Sequence, residues 1–411
     1  MSRSTPRARP DRRLAPRPLP AHLAGAAMLW LTSRAALPVL RTVSRPSSDL
    51  GRQLRDLAVE IDALGIEPVE RAVAVKIAHC AERYLAGLEA YRRHRFRRHS
   101  VSRPIVWQKG TTRLLDYGRA TAPTVLVVPS LINRYYVLDL LPERSFLQHL
   151  VDSGLRPLVI DWRAPGSQER HFDLTDYIVG RLETALATAR QIANGPIGVV
   201  GYCMGGLLAL ALALRCQREV ACLALLATPW DFHVEGTQSQ RLAVAADRLA
   251  RGCNPVGNLS VEAIQTLFYV LDPFIAVRKF IRFAHLDPDS DEARSFVALE
   301  DWINDGVPLP IRVAHSCARS WYRDNEPGRG LWRVGGQFVR PQALRRPALV
   351  VIPGRDRIVP PVSAEPLAAA FGKATLLRPP LGHVGMMAAT RAPDVLWTPI
   401  ANWLQARLGG R

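Results

Sequence analysis

From Asp49 to about His94 apolar residues recur every three to four positions: Leu54, Leu57, Ala58 and Ile61, then Val69, Val73, Ile77, Tyr84, Leu88 and Tyr91. That spacing places them on one helical face and predicts a region of two or three helices. After Pro104 the rhythm changes to short apolar runs, at Thr124–Val128, Pro157–Ile160, Ile197–Val200, Val220–Leu226, Arg346–Ile352 and Thr375–Leu377. Runs of this length between turn residues predict buried strands. Helical segments alternate with them, over Asp173–Asn194, from the end of the Ile197 run through Leu214, and over Asp394–Leu408. Such alternation predicts an α/β domain with a parallel sheet and crossover helices. Between Pro229 and about Arg345 the strand rhythm is lost to helical, aromatic-rich sequence, which predicts an insertion. No internal repeat is visible.

The predicted organisation is a basic leader with a short apolar segment (1–48), a helical N-terminal region (49–103) and a catalytic domain (104–411) carrying the insertion at about 230–345. With 411 residues and 48% hydrophobic content, the chain can bury a large core. Its net charge of +18 is uneven: residues 1–104 hold 20 Lys+Arg against 9 Asp+Glu. The catalytic part is therefore only mildly basic. Residues 1–20, rich in Pro and Arg, are expected to be disordered. The apolar run His22–Thr32 follows six arginines and raises a signal peptide. Prolines between the two, and no convincing cleavage site, favour a disordered leader followed by a short helix. The run Tyr91–His99 has a bland reading, a solvated helix end whose cations suit the C-terminal dipole, and a sharper one, a phosphate-docking patch. We favour the bland one. Six cysteines lie without metal-ligand or disulfide spacing, and no apolar run reaches membrane-spanning length. A reducing, cytoplasmic setting fits, with neither metal nor cofactor expected.

The stretch Ile197–Leu207 reads as strand, tight turn and helix with Cys203 at the apex. Gly201 and Gly205 bracket the thiol in a Gly-x-Cys-x-Gly pattern, the nucleophile elbow with sulfur in place of oxygen. A lone cysteine at a strand end is ordinarily a small core residue, the role expected of Cys222; the bracketing glycines favour catalysis for Cys203. A base and its orienter are expected downstream in the order acid, then histidine. Asp356 lies in the loop past a buried strand, within Gly-Arg-Asp-Arg-Ile-Val-Pro-Pro, and His383 follows the next strand within Gly-His-Val-Gly. Asp231, in Thr-Pro-Trp-Asp-Phe, competes for the acid role, and His171 and His233 are the other histidines near strand ends. The oxyanion donors are expected to be the N–H of Met204 and that of Leu131 or Ile132.

Together these blocks resemble the poly(3-hydroxyalkanoate) synthase family of the α/β-hydrolase superfamily. The resemblance rests on Pro-Ser-Leu-Ile-Asn-Arg-Tyr-Tyr-Val-Leu-Asp-Leu, Gly-Tyr-Cys-Met-Gly-Gly, Leu-Ala-Thr-Pro-Trp-Asp-Phe, the Asp356 and His383 blocks, Trp302–Pro310 and Arg319–Asn325. It covers roughly residues 105–405. It implies an α/β-hydrolase fold with a helical cap and a cysteine acyltransferase that polymerises 3-hydroxyacyl-CoA through an acyl-Cys203 intermediate. His383 would then be the base and Asp356 its assistant. Implied partners are acyl-CoA, a second copy of the chain and a polyester granule surface, without nucleic acid. The alternatives are a thioesterase, esterase or intracellular polyester depolymerase using the same triad, and a surface-binding protein with a vestigial site. The N-terminal region is shorter than in the long synthases and longer than in the two-subunit type, and Pro-Ser-Leu stands where Pro-Pro-Trp is common.

Overall fold

A computed structural model describes residues 13, 16–40, 49–99, 101–234, 244 and 257–409. Most of the leader expected to be disordered, and part of the insertion, lie outside the described residues. The chain divides into two compact units, Met1–Phe96 with Phe268–Glu300, and Arg97–Leu267 with Asp301–Arg411. The insertion is therefore split between them, a division that no break in the sequence pattern announces.

In the first unit the apolar segment after the leader forms α1 (Leu19–Leu40), longer than a short helix because Ala and Leu continue past Thr32. It is followed by α2 (Asp49–Leu64) and α3 (Ile66–Arg93). Tyr84, Leu88 and Tyr91, the last members of the periodic stripe, pack with Ala276, Val277, Phe280 and Phe283 of the helix Ile275–Phe283. Gly87 lets the two helices meet, since a Cβ there would stand 2.0 Å from the carbonyl oxygen of Phe280. Burying one such aromatic side chain contributes about 1.5–3 kcal/mol. Two cations of the basic run at the end of α3 have partners in this unit: Arg93 pairs with Glu89 at 2.5 Å, and His94 Nε2 meets the carbonyl of Pro288 at 2.8 Å. No helix among the described residues is long and apolar enough to cross a membrane.

The second unit is built on an eight-stranded sheet. Its strands are β1 (Ile105–Lys109), β2 (Thr112–Asp116), β3 (Thr124–Val128), β4 (Arg156–Asp161), β5 (Ile197–Tyr202), β6 (Val220–Leu226), β7 (Ala348–Val351) and β8 (Thr375–Leu377). The order is β1-β2-β4-β3-β5-β6-β7-β8, antiparallel at β1 and β2 and parallel from β4 onward. Strands β3, β4, β5 and β7 are wholly buried, as continuous apolar runs in a helix-covered parallel sheet should be. Parallel strands bring their carboxyl ends to one edge, so the loops after β3, β5, β6, β7 and β8 open on the same side. A buried ion pair, Arg181 with Glu169 at 3.0 Å and both 2% exposed, ties the loop after β4 to the following helix. Glu169 also accepts the backbone N–H of Thr111 at 3.0 Å, in the β1–β2 turn.

Candidate active site

Strand β5 runs straight into the helix Met204–Arg215, and the residue between them has no regular conformation available. Cys203 adopts φ +56° and ψ −126°. A non-glycine residue there carries about 1–3 kcal/mol of strain and persists only where its surroundings over-determine it. They do so through two bonds: its N–H donates to the carbonyl of Leu226 at 2.8 Å, and its carbonyl accepts from Gly206 N–H at 2.9 Å. The bracketing glycines are explained by contact. A Cβ on Gly201 would lie 2.5 Å from Gly206 Cα, and one on Gly205 would lie 2.2 Å from the Val128 carbonyl oxygen. The Cys203 side chain packs against Val350, Ile352, Val359 and Ala364, the surroundings of the loop after β7.

That loop carries Asp356. Its Oδ1 accepts the N–H groups of Ile358 and Val359 at 2.8 and 2.9 Å, which fixes the carboxylate plane. Its Oδ2 receives Nδ1–H of His383 at 2.7 Å, with Asp356 4% and His383 8% exposed. The other ring nitrogen is left for the thiol. Burial alone would lower the imidazole's pKa. The charge of Cys203 and the hydrogen bond to Asp356 act more strongly together, with the Cys203 hydrogen bond and the Asp356 charge behind them, and His383 is raised to about 10. Tyr202, just before the thiol, donates its hydroxyl to the His383 carbonyl at 3.3 Å and lays its ring 5.3 Å from the imidazole. Burial, then the nearby charges of Cys203 and Asp356, keep its phenol neutral. Nothing in the sequence singled out Tyr202.

The structure thus brings Cys203, His383 and Asp356 together. It engages Asp231 elsewhere: its carboxylate accepts Asn325 Nδ2–H at 2.8 Å and His233 N–H at 2.9 Å. His233 itself faces the carbonyl of Tyr322 at 2.9 Å. Met204 opens its helix, so its N–H is among the first four without an intrahelical acceptor. Of the two loop donors, Ile132 N–H is turned to Ser130 Oγ at 3.4 Å, which leaves Leu131 the better placed.

Beyond these positions the loop is tied to the insertion. Arg134 and Tyr136 both bond the carboxylate of Asp305, at 3.4 and 3.0 Å, and Trp302 Nε1 donates to the Arg134 carbonyl at 2.8 Å. Arg98, the last arginine of the basic run, stacks on Tyr136 at 4.4 Å and donates to the Asp139 carbonyl at 3.1 Å. Among the described residues no group of three His, Cys, Asp or Glu side chains is placed to hold a metal ion.

Comparison with known proteins adds two findings. Residues 123–389 match the family described as alpha/beta hydrolase fold. The chain is also similar to proteins named poly(3-hydroxyalkanoate) polymerase subunit PhaC. That of Haloferax mediterranei is 25% identical over 74% of this chain and 63% of its own length. That of Haloarcula marismortui is 26% identical over 74% and 68%, and that of Allochromatium vinosum 27% identical over 69% and 81%. The resemblance read from the sequence blocks is borne out by these relatives, and the chain spans just under two thirds of the Haloferax protein.

Proposed function

The chain belongs to the alpha/beta hydrolase fold family, and from that premise we propose that it is a cysteine acyltransferase of the polyhydroxyalkanoate synthase type, acting on (R)-3-hydroxyacyl-CoA. The observation that carries this reading is a thiol, not a hydroxyl, at a strained elbow beside a buried His383–Asp356 pair 2.7 Å apart.

Sulfur suits the task. Transfer of an acyl group from the CoA thioester to Cys203 exchanges one thioester for another and is nearly isoenergetic, whereas transfer onward to an alcohol gives an ester and runs downhill. In the first step His383 holds the thiol's proton as an imidazolium while Cys203 Sγ attacks the thioester carbon. The C–S bond to coenzyme A breaks, and the proton passes to the departing sulfur. Next a 3-hydroxyl attacks the acyl-Cys203 carbon with its proton going to His383; the new ester forms and Cys203 leaves as the thiolate of the restored ion pair. Asp356 holds the imidazole in the tautomer that both steps need. In this reading the N–H groups of Met204 and Leu131 stabilise the charge that the tetrahedral oxygen gains. In this reading the Tyr322 segment of the insertion, within the same unit as the triad, excludes water, the competing nucleophile. The proposed setting is the cytoplasm at a polyester granule surface.

Incubating the purified protein with 3-hydroxybutyryl-CoA, and following free thiol, polymer and free acid with Cys203→Ala alongside, tests the proposal. Polymer with CoA release that vanishes in Cys203→Ala is the expected result. Free 3-hydroxy acid without polymer would reassign the protein to a hydrolase on the same triad. CoA release untouched by Cys203→Ala would remove the cysteine from the mechanism.

A further inference from the structure

The segment just past β6 is hydrogen-bonded in two directions. Toward the acid loop, the N–H groups of Trp230 and Asp231 donate to the carbonyl of Ser363 at 3.1 and 2.9 Å, and Ser363 Oγ donates to the Asp231 carbonyl at 2.7 Å. Ser363 in turn donates its N–H to Pro360, the neighbour of Val359, whose own N–H holds Asp356. Toward the insertion, Asp231 Oδ1 accepts Asn325 Nδ2–H at 2.8 Å, Asn325 Oδ1 accepts Phe232 N–H at 3.0 Å, and His233 Nε2 donates to the Tyr322 carbonyl at 2.9 Å. The Phe232 ring meets that of Tyr322 edge-on at 4.9 Å and stacks with Trp321 at 5.9 Å.

Asn325 is 5% exposed and sits at φ +47°, a conformation that asparagine tolerates better than most residues. Its two side-chain bonds to residues 231 and 232 hold it there. Burial, then the charges of Cys317 and Cys203, keep the phenol of Tyr322, three positions earlier, neutral. Ser363, which the segment grips, adjoins Ala364, a member of the apolar cluster against which Cys203 packs. A single short segment beside the nucleophile therefore connects the loop bearing Asp356 with the Tyr322 segment of the insertion.

We propose that Asp231 is a positioning residue for the Cys203 site, a latch that fastens the Tyr322 segment over the thiol and ties it to the loop bearing Asp356. Its catalytic consequence rests on Cys203 carrying the acyl group. With the latch made, an acyl-Cys203 thioester is shielded from water while the acid stays in register; with it broken, the insertion loosens at Asn325 and water gains access.

Graded substitution tests the latch. Asp231→Ala removes the oxygen that accepts both Asn325 Nδ2–H and His233 N–H, and Asn325→Gly removes both side-chain bonds while adopting the positive φ without strain. Asp231→Asn keeps a carbonyl oxygen facing the two donors and loses only the charge. The readout is the rate at which Cys203 is labelled by bulky N-phenylmaleimide relative to small iodoacetamide, followed by peptide mass spectrometry. Asp231→Ala and Asn325→Gly each raise that ratio about tenfold, the equivalent of one hydrogen bond to a charged group, and Asp231→Asn raises it less. An unchanged ratio in Asp231→Ala or Asn325→Gly, or a rise in Asp231→Asn as large as in Asp231→Ala, overturns the latch. Should either of the first two variants fail to fold, His233→Phe removes only the bond to Tyr322 and must raise the ratio severalfold. During turnover of 3-hydroxybutyryl-CoA, Asp231→Ala and Asn325→Gly also release a larger share of free acid. If the labelling ratios behave as stated but wild-type protein releases no CoA, the latch stands and the proposed substrate is wrong.

Discussion

Asp356→Asn removes a charge from the site with almost no change of shape, and the structure says which way the new amide faces. The N–H groups of Ile358 and Val359, at 2.8 and 2.9 Å, demand an acceptor at the Oδ1 position. The carbonyl oxygen must stay there, so the NH2 group takes the Oδ2 position 2.7 Å from His383 Nδ1. Two donors then face one another, and the neutral imidazole moves its proton to Nε2, the nitrogen that has to accept from Cys203. The lost hydrogen bond to a charged group is worth about 1.5–3 kcal/mol, or roughly 10- to 150-fold, before the cost of the wrong tautomer. General-base action is worth about 10²–10⁴, so kcat for CoA release should fall by that order. The pH behaviour follows as well. A histidine raised from 6.5 to about 10 adds stability that is fully present below 6.5 and lost as pH rises through about 10. Asp356→Asn strips away the aspartate's hydrogen bond and charge, so this stabilisation is lost at lower pH. Rates of thiol release, and urea unfolding at neutral and alkaline pH, measure both effects. A variant with wild-type kcat and an unchanged alkaline stability profile would refute the assignment of Asp356.

Three further outcomes are expected. Gly205→Ala places a methyl 2.2 Å from the Val128 carbonyl and 2.6 Å from that of Pro129; overpacking against rigid backbone should cost about 1–3 kcal/mol in urea unfolding and displace Cys203, and wild-type stability with wild-type kcat would show that the elbow has room. Glu169→Gln leaves Arg181 charged and buried, and the urea midpoint should fall by the equivalent of about 3–5 kcal/mol with kcat per folded molecule preserved; a small change would mean that water reaches the pair. Cys203→Ala removes the charge and the hydrogen bond that Cys203 lends to His383, so the imidazole titration followed by nitrogen NMR should fall from about 10; a titration that stays high would place its cause elsewhere.

The parts of the fold legible in the sequence are those whose cause is local. Thr124–Val128, Ile197–Tyr202 and Ala348–Val351 are buried on both faces, so their side chains are uniformly apolar and the run itself is the signal. The elbow is legible because two glycines are forced by backbone contacts a few residues apart. Strands β1 and β2 escaped notice because Gln108, Lys109 and Arg113 break the apolar pattern at the sheet edge, where one side meets solvent. The helix expected at Asp173–Asn194 begins with wider π-type turns over Asp176–Leu182 before the α-helix Glu183–Ile192, a departure that no residue spacing encodes. The packing of α3 on the helix Ile275–Phe283 joins residues nearly two hundred positions apart. Tyr202, Ser363 and Asn325 act through partners 181, 132 and 94 positions away, and their residue types give no sign of it.

That distinction bears on what the sequence blocks are. Read singly, each block of the resemblance is a short polar phrase of little specificity; in the structure three pairs of them are the two halves of joints within the catalytic unit. The Asn-Arg-Tyr-Tyr loop closes on Asp305 and Trp302, Thr-Pro-Trp-Asp-Phe on Asn325, and the Asp356 loop on His383. One joint holds the loop that carries Leu131, one the Tyr322 segment, and one His383. An enzyme that only hydrolyses an acyl-cysteine has no need to keep water from it, since water is its co-substrate. A site where loop, insertion and acid are each pinned by polar bonds to a second element is better suited to holding a thioester until a hydroxyl arrives, which is the physical reason to favour transfer over hydrolysis at Cys203.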